Sequence, residues 1–563
     1  MPKAPDRARK VMRRATGAVA DKLLKVDGPR QDYEIERDVE VTMPDGVVLL
    51  ADRYYPSDAS GPLPVVLVRT PYGRTGLLST LLLGPLARRG FQLFVQSTRG
   101  TFGSGGQFRP FQTEPEDGAA TLAWLRRQPW CDGRIASTGP SYLGHTQWAV
   151  APYADPPLVA AGLHITAAHI SEAFYTRGGV PGLRNALTWA AMIGTQERRW
   201  LPPLVPNAPQ MLRLRRAMHG LPLQSADTAV AGAPVQFWRD FTAHELPGDD
   251  FWDAADHQEA DLSAMPPVNM VTGWWDLFVR SQLHDFARLQ QAGVPARITI
   301  GPWLHGDPPE VEAIVRTDLE WLGHYLNGEP LPPGPAVRAQ LMGTDEWLEF
   351  ESWPPPGYAD ATHYLGGGGV LDDAPSQQSA PTRFTYDPAD PTPTVGGPML
   401  SAPGRQSDNT KNEQRGDILT FTGPVLDDAV DIVGAPTARI FVRTSTPYAD
   451  LFVRVCDVDA EGTSRNVVDG IRRLSPADGP DSTDDAGVAV VELELFPTAY
   501  RFAAGHRIRV QVAGGAFPRF ARNFGDGERF AAGSSGVPVD FEIFHDAAHP
   551  STVTLPSKTR TRG

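Results

Sequence analysis

RIASTGPSYLGHTQWAVAPYA, residues 134–154, joins a run of strand length to a helix-like run through Gly139-Pro140-Ser141-Tyr142-Leu143-Gly144. A serine at such a junction sits on a sharp turn, with its hydroxyl at the carboxyl edge of a sheet and the next backbone N–H free to bind an oxyanion. Flanking glycines let the turn form without side-chain clashes. The common form of this turn has glycine two residues after the serine, whereas here Leu143 holds that place and Gly144 follows. In a chain rich in glycine the pattern alone is weak, and its strand-to-helix context carries the reading.

Further apolar runs of strand length flank this stretch: PVVLVRT (64–70), FQLFVQST (91–98), LVAAGLHIT (158–166), VNMVTG (268–273) and ARITIGP (296–302). Helix-like segments separate several of them, for example DGAATLAWLRRQPW (117–130) and RSQLHDFARLQQAG (280–293). Runs buried on both faces and alternating with helices make a mostly parallel sheet in an α/β domain. Residues 38–56 alternate about Pro44-Asp45-Gly46 and predict an antiparallel hairpin at its entry. Between 167 and 262 the rhythm breaks into helix-like pieces, which read as a helical insertion. After LPPGP near 335, runs such as ARIFVRT and HRIRVQVA between turn clusters indicate an all-β sandwich or jelly roll. The expected organisation is a basic leader helix over 1–34, an α/β domain from 35–166 and 263–330, the helical insertion over 167–262, and a C-terminal β-sandwich or jelly roll over 331–563.

A serine is a poor nucleophile without a base, so the turn at Ser141 calls for an acid and a histidine at later strand ends, in that order. Asp276 follows VNMVTGWW directly and His305 follows ARITIGPWL, with room between them for one helix and one strand. Either residue alone at a strand end is more often a cap or turn residue. Three matching positions in order favour a triad of Ser141, His305 and Asp276. The amide of Tyr142 is one oxyanion donor. The phenol of Tyr72, just after PVVLVRT, is either a second donor or a packing group.

Composition narrows the functional classes. The 563 residues carry a net charge of −14, which argues against a general nucleic-acid-binding body, since tracking the backbone needs a basic surface. Residues 1–26 are the exception, with eight bases against two acids. They lack the apolar stretch of an export signal and read as a packed or frayed leader, with a weak anionic-surface or partner helix as the alternative. No run of 18 apolar residues occurs, so no transmembrane segment is expected. Cys131 and Cys456 are the only cysteines, too few for a disulfide framework or a four-thiolate zinc site, and a cytoplasmic location fits. No metal or cofactor is expected. Ser104 among glycines reads as a flexible loop, and Asp457-Val458-Asp459 as a hairpin turn rather than a calcium loop.

The ordered segments RTPYGR (69–74), VQSTRGTFGSGGQF (95–108), WLRRQPWCDGRIASTGPSYLGHTQW (124–148), GWWDLF (273–278) and GPWLHG (301–306) resemble the cocaine esterase and X-prolyl dipeptidyl-peptidase type of serine hydrolase. The resemblance runs from about residue 35 to 557. It implies an α/β-hydrolase domain, a cap inserted after the sixth strand and a C-terminal jelly roll. It also implies Ser141, Asp276 and His305 as the triad, and Tyr72 with the Tyr142 amide as the oxyanion hole. Relatives of this type line the acyl pocket with aromatic side chains, and the matching positions are Trp189 and Phe278, with Phe174 a third. Trp274 and Trp275 complete the expected rim. Family members carry an aspartate in the segment that here reads Gln96-Ser97-Thr98-Arg99-Gly100, so neither a salt bridge nor a hydrogen bond is expected from the position of Ser97. The expected activity is hydrolysis of an acyl ester or amide, including X-Pro dipeptidyl substrates, through an acyl-enzyme. Alternatives are an acyltransferase with the same triad and a non-catalytic binding protein. The expected partner is a small ester or peptide substrate, with no nucleic acid and with a homodimer left open.

Overall fold

A computed structural model describes residues 16–28, 30–176, 178–198, 208–245, 249–476 and 482–560. Ten strands form the first sheet: β1 (Tyr33–Thr42), β2 (Val48–Pro56), β3 (Leu63–Thr70), β4 (Gln92–Ser97), β5 (Cys131–Pro140), β6 (Ala161–His164), β7 (Val268–Gly273), β8 (Ala296–Gly301), β9 (Val337–Gln340) and β10 (Trp347–Phe350). Their order is β1-β2-β4-β3-β5-β6-β7-β8-β9-β10. Neighbours from β4 through β9 run parallel, while β1, β2 and β10 pair antiparallel. Every residue of β4 and β7 is buried, as expected of parallel strands covered on both faces. The first two strands form the hairpin expected around Pro44-Asp45-Gly46.

The chain lays β4 on one side of β3 and then crosses to place β5 on the other. Such a reversal opens a crevice at the carboxyl ends of the two central strands, where open α/β sheets bind their ligands. Tyr72 lies just past β3 and Ser141 just past β5. β9 and β10 join this sheet beyond residue 330, where the sequence reading ended the α/β unit. Both strands are only four residues long, so neither has enough alternation to reveal its sheet.

Between β6 and β7 the described elements are helical, chiefly Leu183–Ile193, Ala208–His219, Ala226–Ala231 and Gln236–Ala243. Their apolar faces meet Phe174, Tyr175, Phe278 and Phe530 in one cluster. From Ala359 to Arg560 the described regular elements are strands, mostly antiparallel, apart from one short helical turn at Asn412–Gln414, and they form an all-β domain. Its long hairpin of Ala449–Val458 and Ser464–Leu474 turns at Asp459, whose carboxylate accepts from the Glu461 and Thr463 amides at 3.1 and 2.8 Å. Cys131 and Cys456 are buried and unpaired. No described helix is long and apolar enough to cross a membrane.

Residues 1–15 of the leader, with most of its bases, lie outside the described residues. Residues 16–23 are helical and fastened to the body by Asp21, which is buried and accepts from Arg88 at 2.5 Å and Arg30 at 2.6 Å. Ala20 and Leu24 are buried beside it, while Val19 and Leu23 face outward.

Asp285, on the helix Val279–Gln291, is buried and accepts from the Ala168 amide at 2.7 Å where the chain leaves β6 for the cap. Burial pushes its carboxyl up to about 7; the Ala168 amide, Arg288 at 3.6 Å and His169 pull it down, and Glu172 adds to the rise. A carboxyl whose folded pKa lies above its unfolded value stabilises fully at low pH, and that stability is lost as pH rises through the folded pKa. Asp285→Asn keeps the acceptor for Ala168 without the charge. Relative to the parent it gains stability between pH 4 and pH 8, by up to about 4 kcal/mol. Urea unfolding of both proteins across that range checks this, and parallel stability curves would contradict it.

Candidate active site

Four strand ends converge on the crevice. Ser141 follows β5, Tyr72 follows β3, Asp276 follows β7 and His305 follows β8. Ser141 stands at φ 61°, ψ −124°, a conformation costly for a residue with a side chain and kept only where the surroundings hold it. The hold is visible in its own amide, which donates to the His164 carbonyl at 2.9 Å. Beneath the turn, the Gln147 side chain donates to the Gly162 carbonyl at 2.9 Å and accepts from the Ser137 hydroxyl at 2.8 Å. Asp318 binds Thr138 at 2.5 Å and His164 at 2.9 Å. The displaced glycine has a local reason: a Cβ on Gly144 would come within 2.5 Å of the Thr166 side chain, so the helix Tyr142–Trp148 can sit this close to the end of β6 only with glycine there.

His305 Nε2 is 3.2 Å from Ser141 Oγ, and its Nδ1 is 2.7 Å from Asp276 Oδ2. Asp276 is fully buried, and its Oδ1 accepts from the Phe278 amide at 2.8 Å. The three side chains thus form a continuous hydrogen-bonded chain in which the carboxylate is fixed at both oxygens. The loop carrying His305 is braced twice. Asp307 accepts from the Leu304 amide at 2.7 Å and from Arg405 of the all-β domain at 2.6 Å. Glu310 accepts from the Gly306 amide at 2.7 Å. Burial, together with the nearby Asp276 charge, holds the Glu310 carboxyl well above the usual carboxylate range.

The Tyr72 hydroxyl contacts Ser141 and accepts from the Trp189 indole N–H at 3.1 Å. Burial pushes its phenol up to about 12, so it stays protonated and able to donate at any ordinary pH. Its loop is anchored by Arg74, which donates to Ser97 Oγ at 2.8 Å, Asp52 at 3.2 Å and Asp38 at 2.6 Å. Contrary to the sequence expectation, the position of Ser97 does supply a hydrogen bond, because a hydroxyl can accept from the guanidinium without a charge, and the two carboxylates on this arginine come from β2 and from the bulge in β1. Tyr142 begins a helix, so its amide is among the donors that have no acceptor within that helix. Its side chain points inward: the phenol donates to Glu114 at 2.7 Å and accepts from the Phe111 amide at 3.0 Å. Burial raises the Glu114 carboxyl, and Arg69 at 2.8 Å opposes that rise.

Aromatic side chains wall the site. Phe278 lies 5.8 Å from the His305 ring, and Phe174 lies 5.7 Å from Trp189. Two of the expected rim residues are placed elsewhere. Trp274 donates to the Gln340 carbonyl at 2.8 Å and lies 5.9 Å from Trp353, in the core between the sheet and the all-β domain. Trp275 belongs to the same core cluster, and its carbonyl accepts from the Met399 amide at 3.1 Å. In the turn after β7 only Phe278 faces His305, because a turn has no fixed side-chain period. Three residues the sequence did not single out, Phe111, Phe237 and Glu114, surround Trp189 and Tyr142. Ser104 is structural: its hydroxyl donates to the Ser97 carbonyl and accepts from the Leu50 amide, both at 2.9 Å. Among the described residues no three His, Cys, Asp or Glu side chains are grouped to hold a metal.

Residues 45–307 match the model of the X-Pro dipeptidyl-peptidase S15 family, and residues 333–554 match that of the X-Pro dipeptidyl-peptidase C-terminal non-catalytic domain. The chain is 30% identical to the cocaine esterase of Rhodococcus sp. (strain MB1 Bresler), over 94% of this chain and 99% of that one. In fold it is similar to an aminopeptidase from a marine sediment Thaumarchaeota archaeon (TM-score 0.77, 22% identity, 94% of this chain and 98% of that one). It is similar too to an α-amino acid ester hydrolase (TM-score 0.76, 21% identity, 94% and 97%).

Proposed function

This chain belongs to the X-Pro dipeptidyl-peptidase S15 family of serine hydrolases, which cleave ester or peptide bonds, and from that premise we propose that it is an esterase acting through an acyl-enzyme on Ser141. The hydrogen-bonded chain Ser141–His305–Asp276, at 3.2 and 2.7 Å, is the observation that carries the reading. His305 takes the Ser141 proton as Oγ attacks the carbonyl and returns it to the leaving alcohol, while Asp276 stabilises the imidazolium between the two events. Water then repeats the sequence on the acyl-enzyme. The Tyr72 phenol and the Tyr142 amide receive the oxyanion.

Two features favour an ester with an apolar acyl group. Trp189, bonded to Tyr72, Phe278, against His305, and Phe174, against Trp189, belong to one apolar cluster, surroundings that suit such a group better than a charged one. The relative similar over nearly its whole length is named as an esterase. A panel of aryl esters, amino-acid esters and X-Pro anilides tests this. The aryl esters show the highest kcat/KM, by at least about tenfold, a difference of ~1.4 kcal/mol in transition-state binding. A preference for X-Pro anilides would replace the ester reading with a dipeptidyl-peptidase one.

A further inference from the structure

Tyr72 and Trp189 come from parts of the chain 117 residues apart, and their contact has a fixed polarity. An indole N–H can only donate, whereas a phenol oxygen both donates and accepts. The 3.1 Å contact therefore occupies an acceptor site on the Tyr72 oxygen and leaves the phenol proton free. The other group that the hydroxyl meets is Ser141, so the free proton can be turned to that side.

The indole is itself fixed. It stacks on Phe111 at 5.3 Å and on Tyr142 at 6.0 Å with an interplanar angle of 18°, and it meets the edge of Phe237 at 4.4 Å. It is only 5% exposed. A second contact from the same segment reaches the same loop: the buried Gln196 side chain donates to the Pro71 carbonyl at 2.8 Å, one residue before Tyr72. The inserted helical segment thus holds Tyr72 at its backbone and at its hydroxyl. Through the stacked Tyr142 ring, the same indole touches the residue whose amide is the other donor.

We propose that Trp189, carried on the cap helix Leu183–Ile193, is a positioning residue of the oxyanion hole, aiming the Tyr72 hydroxyl proton at the reacting carbonyl oxygen. The inference rests on the esterase reading above and assigns the cap a part in the chemical step as well as in enclosing substrate. Donors aimed in advance at a developing charge act on the transition state more than on the bound substrate. The signature is therefore a change in kcat with KM nearly fixed.

The test is a double-mutant cycle on a 4-nitrophenyl ester. Tyr72→Phe lowers kcat by about a hundredfold, the scale of one lost oxyanion donor. Trp189→Phe, which keeps an aromatic ring without the N–H, lowers kcat by about tenfold, as expected of a group that acts through the donor. In the Tyr72→Phe background the Trp189→Phe loss disappears, because no hydroxyl remains to be aimed. Replacing Trp189 by 3-benzothienylalanine, which keeps both rings and lacks only the N–H, gives the same kcat loss with an unchanged unfolding midpoint. That variant separates aiming from packing if the phenylalanine variant folds poorly.

A Trp189→Phe enzyme with raised KM and full kcat, or kcat losses that multiply in the double variant, would overturn the inference and leave the esterase reading standing. A Tyr72→Phe enzyme of full kcat would overturn both this inference and the assignment of Tyr72 to the oxyanion hole. The Ser141 nucleophile would not depend on that result.

Discussion

Ser141→Ala abolishes labelling by a fluorophosphonate probe and lowers kcat by about a millionfold, the scale seen when the nucleophile of a working triad is removed. The residual rate, about 10³ to 10⁴ above the uncatalysed reaction, belongs to substrate binding and the oxyanion donors, which the substitution leaves in place. The fold survives for reasons visible at the turn. What holds residue 141 at φ 61° is its amide bond to the His164 carbonyl and the fit of Gly144 against Thr166, and neither involves the hydroxyl. Alanine has the same Cβ and meets the same strain. The contacts given up at the hydroxyl are those to His305 at 3.2 Å and to Tyr72, and each partner keeps its other bond, His305 to Asp276 and Tyr72 to Trp189. The parent and Ser141→Ala should therefore unfold at closely similar temperatures while differing completely in labelling. Undiminished labelling of the alanine variant would place the nucleophile on another residue.

The strand ends were the most legible part of the chain. β3, β7 and β8 announce themselves as largely apolar runs, because a parallel strand covered on both faces admits little else, and β5 shows as the short buried run Ile135–Gly139 before the turn. Ser141, Asp276 and His305 each follow such a run closely, so their convergence came from topology and needed no knowledge of contacts. Side-chain direction in the turns was not legible. Trp274, Trp275 and Phe278 are near neighbours, yet only Phe278 faces His305, since no period governs a turn as 2.0 or 3.6 governs a strand or helix. Residues that support the site from other segments were equally hidden. Glu114 reads as an ordinary acidic residue in the first turn of a helix, a place where negative charge is common, and nothing local ties it to Tyr142. The Arg405–Asp307 pair that braces the loop of His305 joins residues 98 apart across two domains.

Asp276→Asn should lower kcat by about four orders of magnitude while KM and the unfolding midpoint change little, as when a triad histidine is forced into the wrong tautomer. The direction follows from the two bonds that the carboxylate makes. The Phe278 amide donates to Oδ1 at 2.8 Å, and only an oxygen can accept there. An asparagine side chain must therefore put its carbonyl toward Phe278 and its NH₂ toward His305 Nδ1. A donor facing Nδ1 turns that nitrogen into the acceptor, and the ring proton moves to Nε2. Nε2 then points an N–H at Ser141 and cannot take the hydroxyl proton. Stabilisation of the imidazolium by the buried charge is lost as well. Glu310 is the neighbouring carboxyl best placed to substitute, but its Oε2 is already engaged by the Gly306 amide at 2.7 Å, and burial disfavours its ionised form. Presteady-state release of nitrophenol from a 4-nitrophenyl ester reads the acylation step directly. An acylation rate within about tenfold of the parent, ~1.4 kcal/mol of barrier, would mean that Asp276 orients the histidine without setting its tautomer.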